Sequence, residues 1–420
     1  MKVNSQTLES SAPAPLGQRV STFDLRVLMV ALIGFCVFLD VYMTQALLPL
    51  FARIFHASKF EVSLTVSATT IGIALGAPFA GLLAERVGRR EVMVGSVLFL
   101  TLPILLSATS PGLHALIGWR FVQGLIMPGT ISVTMAYVSE EWAAGGAAAV
   151  MAAYVAGNVL GGVTGRFLSG QIAAHFNWNA AFVVLGGLNG IGAIAVWRWL
   201  PHSKRRHTKV QLGASLREMG RQFRRPVMVA TFLIGSGMLF ALVGTFTYVT
   251  FYLAAPPFGL GTAALGSLFA VYLVGVVVTP VCGRWIDRLG HRRALIIATV
   301  AAGVGVMLTL IHSLTAVIIG LSLCSTGIFV CQSAAASYLG HVAGQSRASA
   351  AGLYSSFYYA GGTAGAAAPA LAWAVGGWPA CVAAIVAVLF AVIALAMRFW
   401  HATAPPAPED PAYTMALAAE

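Results

Sequence analysis

Three ionisable side chains stand deep within apolar stretches of this sequence, and their types point to proton chemistry. Asp40 lies in VFLDVYMTQALLP, Arg120 opens RFVQG, and Arg166 lies in GNVLGGVTGRFLSG. A charge near the centre of a bilayer costs about 2.5–3.5 kcal/mol on insertion scales, so it is rarely kept without a role. Asp40 is the one deep acid among the 13 of the chain. We therefore predict that Asp40 takes up and releases a proton and that Arg120 and Arg166 tune it.

The composition of the chain is that of a membrane protein. Hydrophobic residues make up 58% of the chain and charged residues 9%, whereas about 25% of the residues in soluble domains are charged. The chain is therefore predicted to be an all-α integral membrane protein. Its first 26 residues are polar and contain no short apolar core with a cleavage site, so we expect no removable signal peptide.

Twelve apolar stretches reach the length of about 20 residues that a helical span needs. They run near 27–50, 61–83, 92–109, 114–137, 147–172, 180–200, 227–253, 263–283, 294–312, 315–336, 349–373 and 379–400. The predicted domains are an N-terminal tail (1–26), an N-terminal six-helix bundle (27–200), a basic linker (201–226), a C-terminal six-helix bundle (227–400) and a C-terminal tail (401–420).

The net charge of +12 is distributed unevenly over these segments. Most Lys and Arg residues fall in the N-terminal tail, after the second span, and at 198–225 and 284–293, all on one side of the predicted membrane. The opposite side holds only Arg53 and Lys59. The positive-inside rule then makes both tails and the linker cytoplasmic. Basic loops of this kind contact anionic lipid headgroups, and their distribution argues against nucleic acid as a partner.

Depth along the spans is expected to bring the three deep charges together. At about 1.5 Å per residue, Asp40 lies near the middle of the first span, and Arg120 and Arg166 lie toward the outer side of theirs. We expect all three to meet in one cavity of the N-terminal bundle. Two alternatives stay open: Arg120 satisfies backbone carbonyls of the first span, or Arg166 only neutralises Asp40.

A short charged run occurs twice at half the chain length. GLLAERVGRR at 81–90 returns as GRWIDRLGHRR at 283–293, and Asp287 follows Glu85 by 202 of the 420 residues. A repeat of this kind indicates two similar halves, and we expect its charges to pair and act as a cytoplasmic gate. The predicted gate residues are Gly81, Glu85, Arg86, Gly88, Arg89, Arg90, Gly283, Asp287, Arg288, Gly290 and Arg292.

Glycines recur every four residues in the fifth and eleventh spans. They are Gly157, Gly161 and Gly165 in one, and Gly361 and Gly365 in the other. Small residues at this spacing let helices approach closely in lipid. We expect them to form paired seams, with the glycine face of the fifth span against the opposite bundle.

The duplicated run resembles the signature loop of the major facilitator superfamily, whose members are transporters built as two pseudo-symmetric bundles of six transmembrane helices. RFVQG (120–124) is similar to the span 4 motif whose Arg is tied to proton coupling in that family. The run from Gly157 to Gly165 resembles the antiporter motif of exporters, although Gly162 stands where the family usually has Pro. Glu85 likewise replaces the usual Asp of the loop. The resemblance is to the twelve-span drug:proton antiporter branch, including putative sugar-efflux and arabinose-efflux members.

This resemblance implies alternating access to a central site between the bundles. The expected activity is proton-coupled efflux of a small amphiphilic compound or drug across the bacterial inner membrane. Two Arg and one Asp leave a net positive charge, so uptake of a small organic anion or sugar acid by proton symport is the alternative. The candidate residues of the substrate cavity are Tyr42, Gln45, Gln123, Asn158, Tyr248, Tyr252, Gln332, Tyr354 and Tyr358. For the aromatic residues of the second half, packing in the core is the alternative.

Enzymatic chemistry finds little support in the sequence. His175 and His312 stand near span ends without Cys or carboxylate partners, and neither HExxH nor GxSxG occurs. The five cysteines lie in apolar stretches without a CxxC pair, as small buried hydrophobic residues do. We expect no enzyme activity, no cofactor and no metal. The expected partners are a small-molecule substrate, protons and membrane lipids, and a monomer is favoured.

Overall fold

The structure, a computed structural model, describes residues 25–142, 146–201, 219–343 and 347–400, and within these ranges it is helical without a strand. The first half contains α1 Leu25–Val41, α2 Leu48–Ile54, α3 Lys59–Val87, α4 Arg89–Ala108, α5 Leu113–Ile126, α6 Pro128–Glu141, α7 Ala147–His175 and α8 Trp178–Trp199. The second half contains α9 Pro226–Ala254, α10 Thr262–Leu268, α11 Tyr272–Leu289, α12 His291–Leu308, α13 Leu314–Ala343, α14 Arg347–Ala367 and α15 Pro369–Phe399. Residues 1–24 of the predicted N-terminal tail, residues 202–218 of the predicted linker and the whole predicted C-terminal tail lie outside the described residues.

Ten helical segments of the described chain are long and apolar enough to cross a membrane. Two further predicted spans are also helical, one over 262–289 and one over 347–367. The longest element, α15, is broken at Gly376 and Gly377, whose backbone angles are not helical. Large apolar side chains such as Phe99, Leu371 and Phe390 are exposed on the outside, where lipid solvates them. The all-α membrane fold is confirmed.

The first span is interrupted next to its acid. After Val41 the chain continues as a 3-10 turn, Met43–Leu47, before α2 resumes the direction of α1. The backbone N–H group of Gln45 donates a hydrogen bond to the carbonyl of Tyr42. Pro49, at the start of α2, has no N–H group to give to the preceding turn. The break therefore leaves the last carbonyls of α1 available to other partners.

The duplicated loops adopt the same backbone form in the two halves. Gly88 separates α3 from α4 with φ 118°, and Gly290 separates α11 from α12 with φ 80°. Residues that carry a side chain rarely adopt such positive φ values, so glycine is required at both turns. We call this end of the molecule the loop end and the opposite end, where Ser58 caps α3, the far end.

The glycine seams join helices within each bundle, so the prediction that they face the opposite bundle is wrong. A methyl group on any of these glycines would overlap backbone atoms of a neighbouring helix, which is α1 for the fifth span and α9 for the eleventh. The pairs are Gly157 with Ala31, Gly161 with Phe35, Gly165 with Leu39, Gly361 with Ser236 and Gly365 with Phe240. The four-residue spacing identifies a close-packing face, but it does not identify the partner helix.

The two bundles touch in the half of the molecule nearer the far end. Gly170 of α7 packs against Gly266 of α10. Ser67 of α3 donates to the carbonyl of Thr363 of α14 (3.1 Å), and the hydroxyls of Thr70 and Thr363 are 3.0 Å apart. Small residues and hydroxyl groups thus close this end of the interface between the bundles.

Candidate functional site

Asp40 and Arg120 form a buried ion pair in the N-terminal bundle. Asp40 is the last residue but one of α1, near the midpoint of the span Leu25–Ile54. Nη1 of Arg120, from α5, lies 3.0 Å from Oδ1 of Asp40, and both side chains are inaccessible to solvent. The sequence prediction that these two residues meet agrees with this geometry.

Arg120 satisfies every one of its five N–H groups. Nη1 also donates to the amide oxygen of Gln123 (2.6 Å), and Nε donates to the carbonyl of Thr65 on α3 (3.2 Å). Nη2 donates to the carbonyls of Asp40 and Val41, which the end of α1 leaves open. Arg120 is therefore both the ion-pair partner of Asp40 and a cap for the broken helix. Its role in proton coupling stays a prediction.

Asp40 keeps one carboxylate oxygen without a partner. Oδ1 accepts from Arg120, whereas Oδ2 is buried and has no hydrogen-bond partner among the described residues. Gln123, which the sequence placed among cavity candidates, instead supports this pair from within the bundle and donates to the hydroxyl of Ser107 (3.0 Å). An unpartnered oxygen in a dry site is the atom on which a proton can reside.

Arg166 does not join this pair, in contrast to the expectation that the three charges meet. Its Nε donates to the amide oxygen of Gln45 (2.9 Å), and its Nη1 donates to the carbonyl of Gly162 (2.7 Å). Position along a span fixes depth but not direction around the helix, and the Arg166 side chain points toward the second bundle. The guanidinium carbon lies 4.8 Å from the ring centre of Phe269 and 5.1 Å from that of Tyr272.

The 3-10 turn after Asp40 connects this region to the second bundle. Its Gln45 accepts from Arg166 and donates to the hydroxyl of Thr247 on α9 (3.1 Å). Tyr42, at the start of the turn, lies with its ring centre 4.8 Å from the guanidinium of Arg166. The turn therefore contacts both Arg166 and the opposite bundle. The contacting residues, Tyr42 and Gln45, follow Asp40 by two and five positions in the sequence.

Four of the remaining cavity candidates lie in different bundles: three in the second and Asn158 in the first. Tyr354 and Tyr358 stack on α14 with ring centres 6.0 Å apart, and Tyr358 donates to Gln332 (3.0 Å). Asn158 is half-buried on α7 against Gly34 of α1.

Two tyrosines predicted for the cavity have other places. The hydroxyl of Tyr248 donates to the carbonyl of Ala366 at the end of α14 (2.8 Å), which is a structural hydrogen bond. Tyr252 stacks on Trp378 (5.7 Å) beside Phe258, in the second bundle at the far end. Periodicity alone does not separate such packing roles from a position between the bundles.

The predicted gate residues of the first loop are divided between two contacts. Arg89 pairs with Glu140 at the end of α6, and Glu85 interacts electrostatically with both. Arg90 instead turns inward and donates to the carbonyls of Leu200 and Trp197 at the end of α8.

The second loop repeats the inward contact. Arg292 donates to the carbonyl of Trp400 at the end of α15, as Arg90 does at the end of α8. One basic residue of each loop thus holds the last helix of its own bundle. The surroundings of Gly283 and the side chain of Asp287 are outside what the structure describes, so the pairing expected of Asp287 is not placed.

A match to a known protein family assigns the chain to that family. The sequence profile described as Major Facilitator Superfamily matches residues 30–366 and, separately, 253–418. The chain belongs to this superfamily. It is therefore a multi-pass membrane transporter and not an enzyme, as the sequence predicted.

Related proteins and structures agree with this assignment. The transporter is 34% identical over 331 residues to the uncharacterised MFS-type transporter YybF of Bacillus subtilis (strain 168), a match over 78% of this chain and 81% of YybF. It is 29% identical over 346 residues to the inner membrane transport protein YnfM of Escherichia coli (strain K12), over 82% and 83% of the two chains. The crystal structure of the nucleoside transporter NupG superposes with a TM-score of 0.74 at 13% identity, over 90% of this chain and 100% of that one, and so shares its fold.

Several residues between the bundles escaped the sequence analysis of this transporter. Phe269 and Tyr272 stand beside Arg166, and Thr247 and Thr363 bond across the interface. Every predicted span contains an aromatic residue or a threonine, so nothing in their spacing marks these four. Only the order of helices around the interface identifies them.

Arg120→Gln is expected to lower the free energy of unfolding of this transporter by about 3–5 kcal/mol, because it leaves the buried carboxylate of Asp40 and the end of α1 without a partner. Equilibrium unfolding in mixed micelles measures the loss. Arg53→Gln, at an exposed site, is the matched control and should unfold like the wild type. Equal stability of the Arg120 and Arg53 variants would contradict the capping role.

Proposed function

We propose that this chain is a proton-coupled exporter of the drug:proton antiporter type, which moves a small amphiphilic compound across the bacterial inner membrane. The observation that carries the proposal is the buried pair of Asp40 and Arg120, with one carboxylate oxygen unpartnered. Intramembrane carboxylates of this kind are typical of proton relays. Both termini are cytoplasmic in this proposal, and the transporter acts as a monomer.

The contacts around Asp40 supply a route from proton to conformation. Protonation of Asp40 removes its negative charge and weakens the ion pair with Arg120. Arg120 also holds the carbonyls at the end of α1, where the 3-10 turn begins. That turn carries Tyr42 and Gln45, which touch Arg166 and Thr247. The proton therefore acts on the element that joins the two bundles, which is a physical link between protonation and alternating access.

A second candidate is uptake of a small organic anion by proton symport. Arg166 favours it, because this buried guanidinium has no carboxylate partner among the described residues. Export and uptake use the same proton site, and they differ in whether protons and substrate move in opposite directions or together.

Overexpression in a bacterial strain that lacks its own efflux pumps tests the proposal. Cells are challenged with amphiphilic drugs, sugars and organic acids. The proposed exporter raises resistance to at least one compound, and Asp40→Asn at equal membrane abundance abolishes the gain. Growth on an organic acid, or greater sensitivity to one, would favour symport. No change with any compound class would contradict both candidates.

The cytoplasmic gate leads to a further prediction. Arg89→Gln breaks the contact with Glu140 at the loop end and should slow transport several-fold while leaving insertion intact, because the pair biases one conformation. Transport rates in proteoliposomes measure the effect. Arg53→Gln, at the far end, is the control. A wild-type rate in the Arg89 variant would remove the gate from this account.

A further inference from the structure

Arg166 stands in an aromatic cage that is shared by both bundles. Its guanidinium carbon lies 4.8 Å from the ring centre of Tyr42 in the first bundle. From the second bundle, Phe269 and Tyr272 approach to 4.8 Å and 5.1 Å. The residue is only 4% exposed. The cage therefore places a desolvated positive charge on the interface that alternating access opens and closes.

This charge is uncompensated within the described part of the chain. Nε and Nη1 donate to neutral oxygens of Gln45 and Gly162, and neither a carboxylate nor an acceptor for Nη2 is found there. Asp40 is already engaged by Arg120. Three aromatic rings stabilise the buried cation through cation–π contacts, but they bring no negative charge to balance it. The site is thus suited to a ligand that brings a negative charge.

Tyrosines extend the cage toward α14. The tyrosine cluster consists of Tyr42, Tyr272, Tyr354, Tyr358 and Tyr359. The ring centre of Tyr358 lies 6.0 Å from that of Tyr354 and 5.5 Å from that of Tyr359, and Tyr358 is also near Tyr42 and Tyr272. The hydroxyl of Tyr354 is buried and has no hydrogen-bond partner among the described residues. Tyr42 and Tyr272 offer flat aromatic faces beside the unpaired guanidinium, and Tyr354 adds an unpartnered hydroxyl that lies against Gly235 of α9. These features match a flat ring that carries an acidic group.

We propose that Arg166 and the tyrosine cluster bind a small aromatic carboxylate as the transported substrate. The carboxylate accepts from the open Nη2 of Arg166, a charge-assisted bond of the stronger kind. The aromatic ring packs against tyrosine faces of both bundles in an offset or edge-on arrangement. The inference deepens the proposed transport function and rests on it, but it is independent of direction and of proton coupling.

The cage has a purely structural alternative. In that case Arg166 only holds the two bundles together, and replacing it changes stability without changing which small molecules bind. Ligand selectivity separates the two accounts, because it compares charge and shape at constant protein stability. Three probes suffice: benzoate, the neutral analogue benzamide, and the non-aromatic anion cyclohexanecarboxylate.

Binding of these probes to the purified full-length chain in detergent is measured at millimolar concentration by the shift in thermal unfolding. Benzoate should stabilise the wild type and the control Arg53→Gln, and benzamide should not. Arg166→Lys keeps the charge but loses the planar fork, so benzoate should bind about tenfold more weakly. Tyr272→Leu should retain anion binding and lose the preference for benzoate over cyclohexanecarboxylate.

Three results would overturn the proposal: no stabilisation of the wild type by benzoate, equal stabilisation by benzamide, or unchanged benzoate affinity in Arg166→Lys. Unchanged ring preference in Tyr272→Leu would remove the tyrosine cluster from the site. Benzoate binding through Arg166 in a protein that shows no proton-dependent transport would refute the proposed exporter and leave this site standing.

Discussion

Asp40→Asn is expected to abolish transport driven by a pH gradient while leaving exchange of substrate across the membrane in place. Asn keeps the size of the side chain and an oxygen that accepts from Arg120, so the cap on α1 survives. It removes the group that carries the proton. Proteoliposomes with an imposed pH gradient measure accumulation, and counterflow without a gradient measures exchange. The gradient-driven signal should fall to the background of empty vesicles.

Glu61→Gln is the matched control for this experiment. Glu61 is an exposed acid in the first turn of α3, where it accepts from the backbone and hydroxyl of Ser58. Gln can keep the capping contact, so transport should remain at the wild-type level. Accumulation against a gradient by Asp40→Asn, with unchanged pH dependence, would show that the proton resides elsewhere. Loss of transport in the Glu61 variant alone would shift the proton site to the far end.

Gly161→Leu is expected to prevent correct folding of the first bundle. Even a methyl group at this position would overlap the backbone of Phe35 on α1, and extra volume in a packed seam costs about 1–3 kcal/mol or more. The smaller Gly161→Ala should lower the thermal unfolding midpoint measurably. Size-exclusion profiles and thermal unfolding in detergent report both effects.

Gly187 offers the control, because it is exposed on α8 and a Cβ added there would have no neighbouring atom within 4 Å. Gly187→Ala should be as stable as the wild type. If this seam lay between opposite bundles, Gly161→Leu would instead fold and stay trapped in one conformation. Introduced cysteines would then be accessible from one side of the membrane only. A folded and trapped variant would contradict the packing of α7 on α1.

Local patterns in the sequence predict the spans and the two halves of the fold. Apolar length locates the spans, and the 202-residue repeat of Glu85 and Asp287 indicates two halves. Both depend on composition and spacing along the chain, and the positive φ of Gly88 and Gly290 shows the repeat in the backbone.

The features that were missed depend on rotation around helix axes. Asp40, Arg120 and Arg166 have similar depths, but Arg166 turns to Tyr272 and the second bundle rather than to Asp40. The glycine face of α7 likewise meets α1, while Gly170 meets the second bundle. Successive residues of an α-helix point about 100° apart around its axis. The spacing of residues therefore shows which of them share a face, and only the tertiary arrangement shows which helix that face meets.

Proton release on substrate binding tests the central claim most directly. A compound to which overexpression gives resistance is added to the purified chain in weakly buffered detergent solution, and the change in pH is recorded. Because binding of proton and substrate is reciprocally coupled, the wild type should release a proton as the substrate binds. Asp40→Asn should bind the substrate and release none. Equal proton release by both proteins would contradict the assignment of Asp40 as the coupling carboxylate.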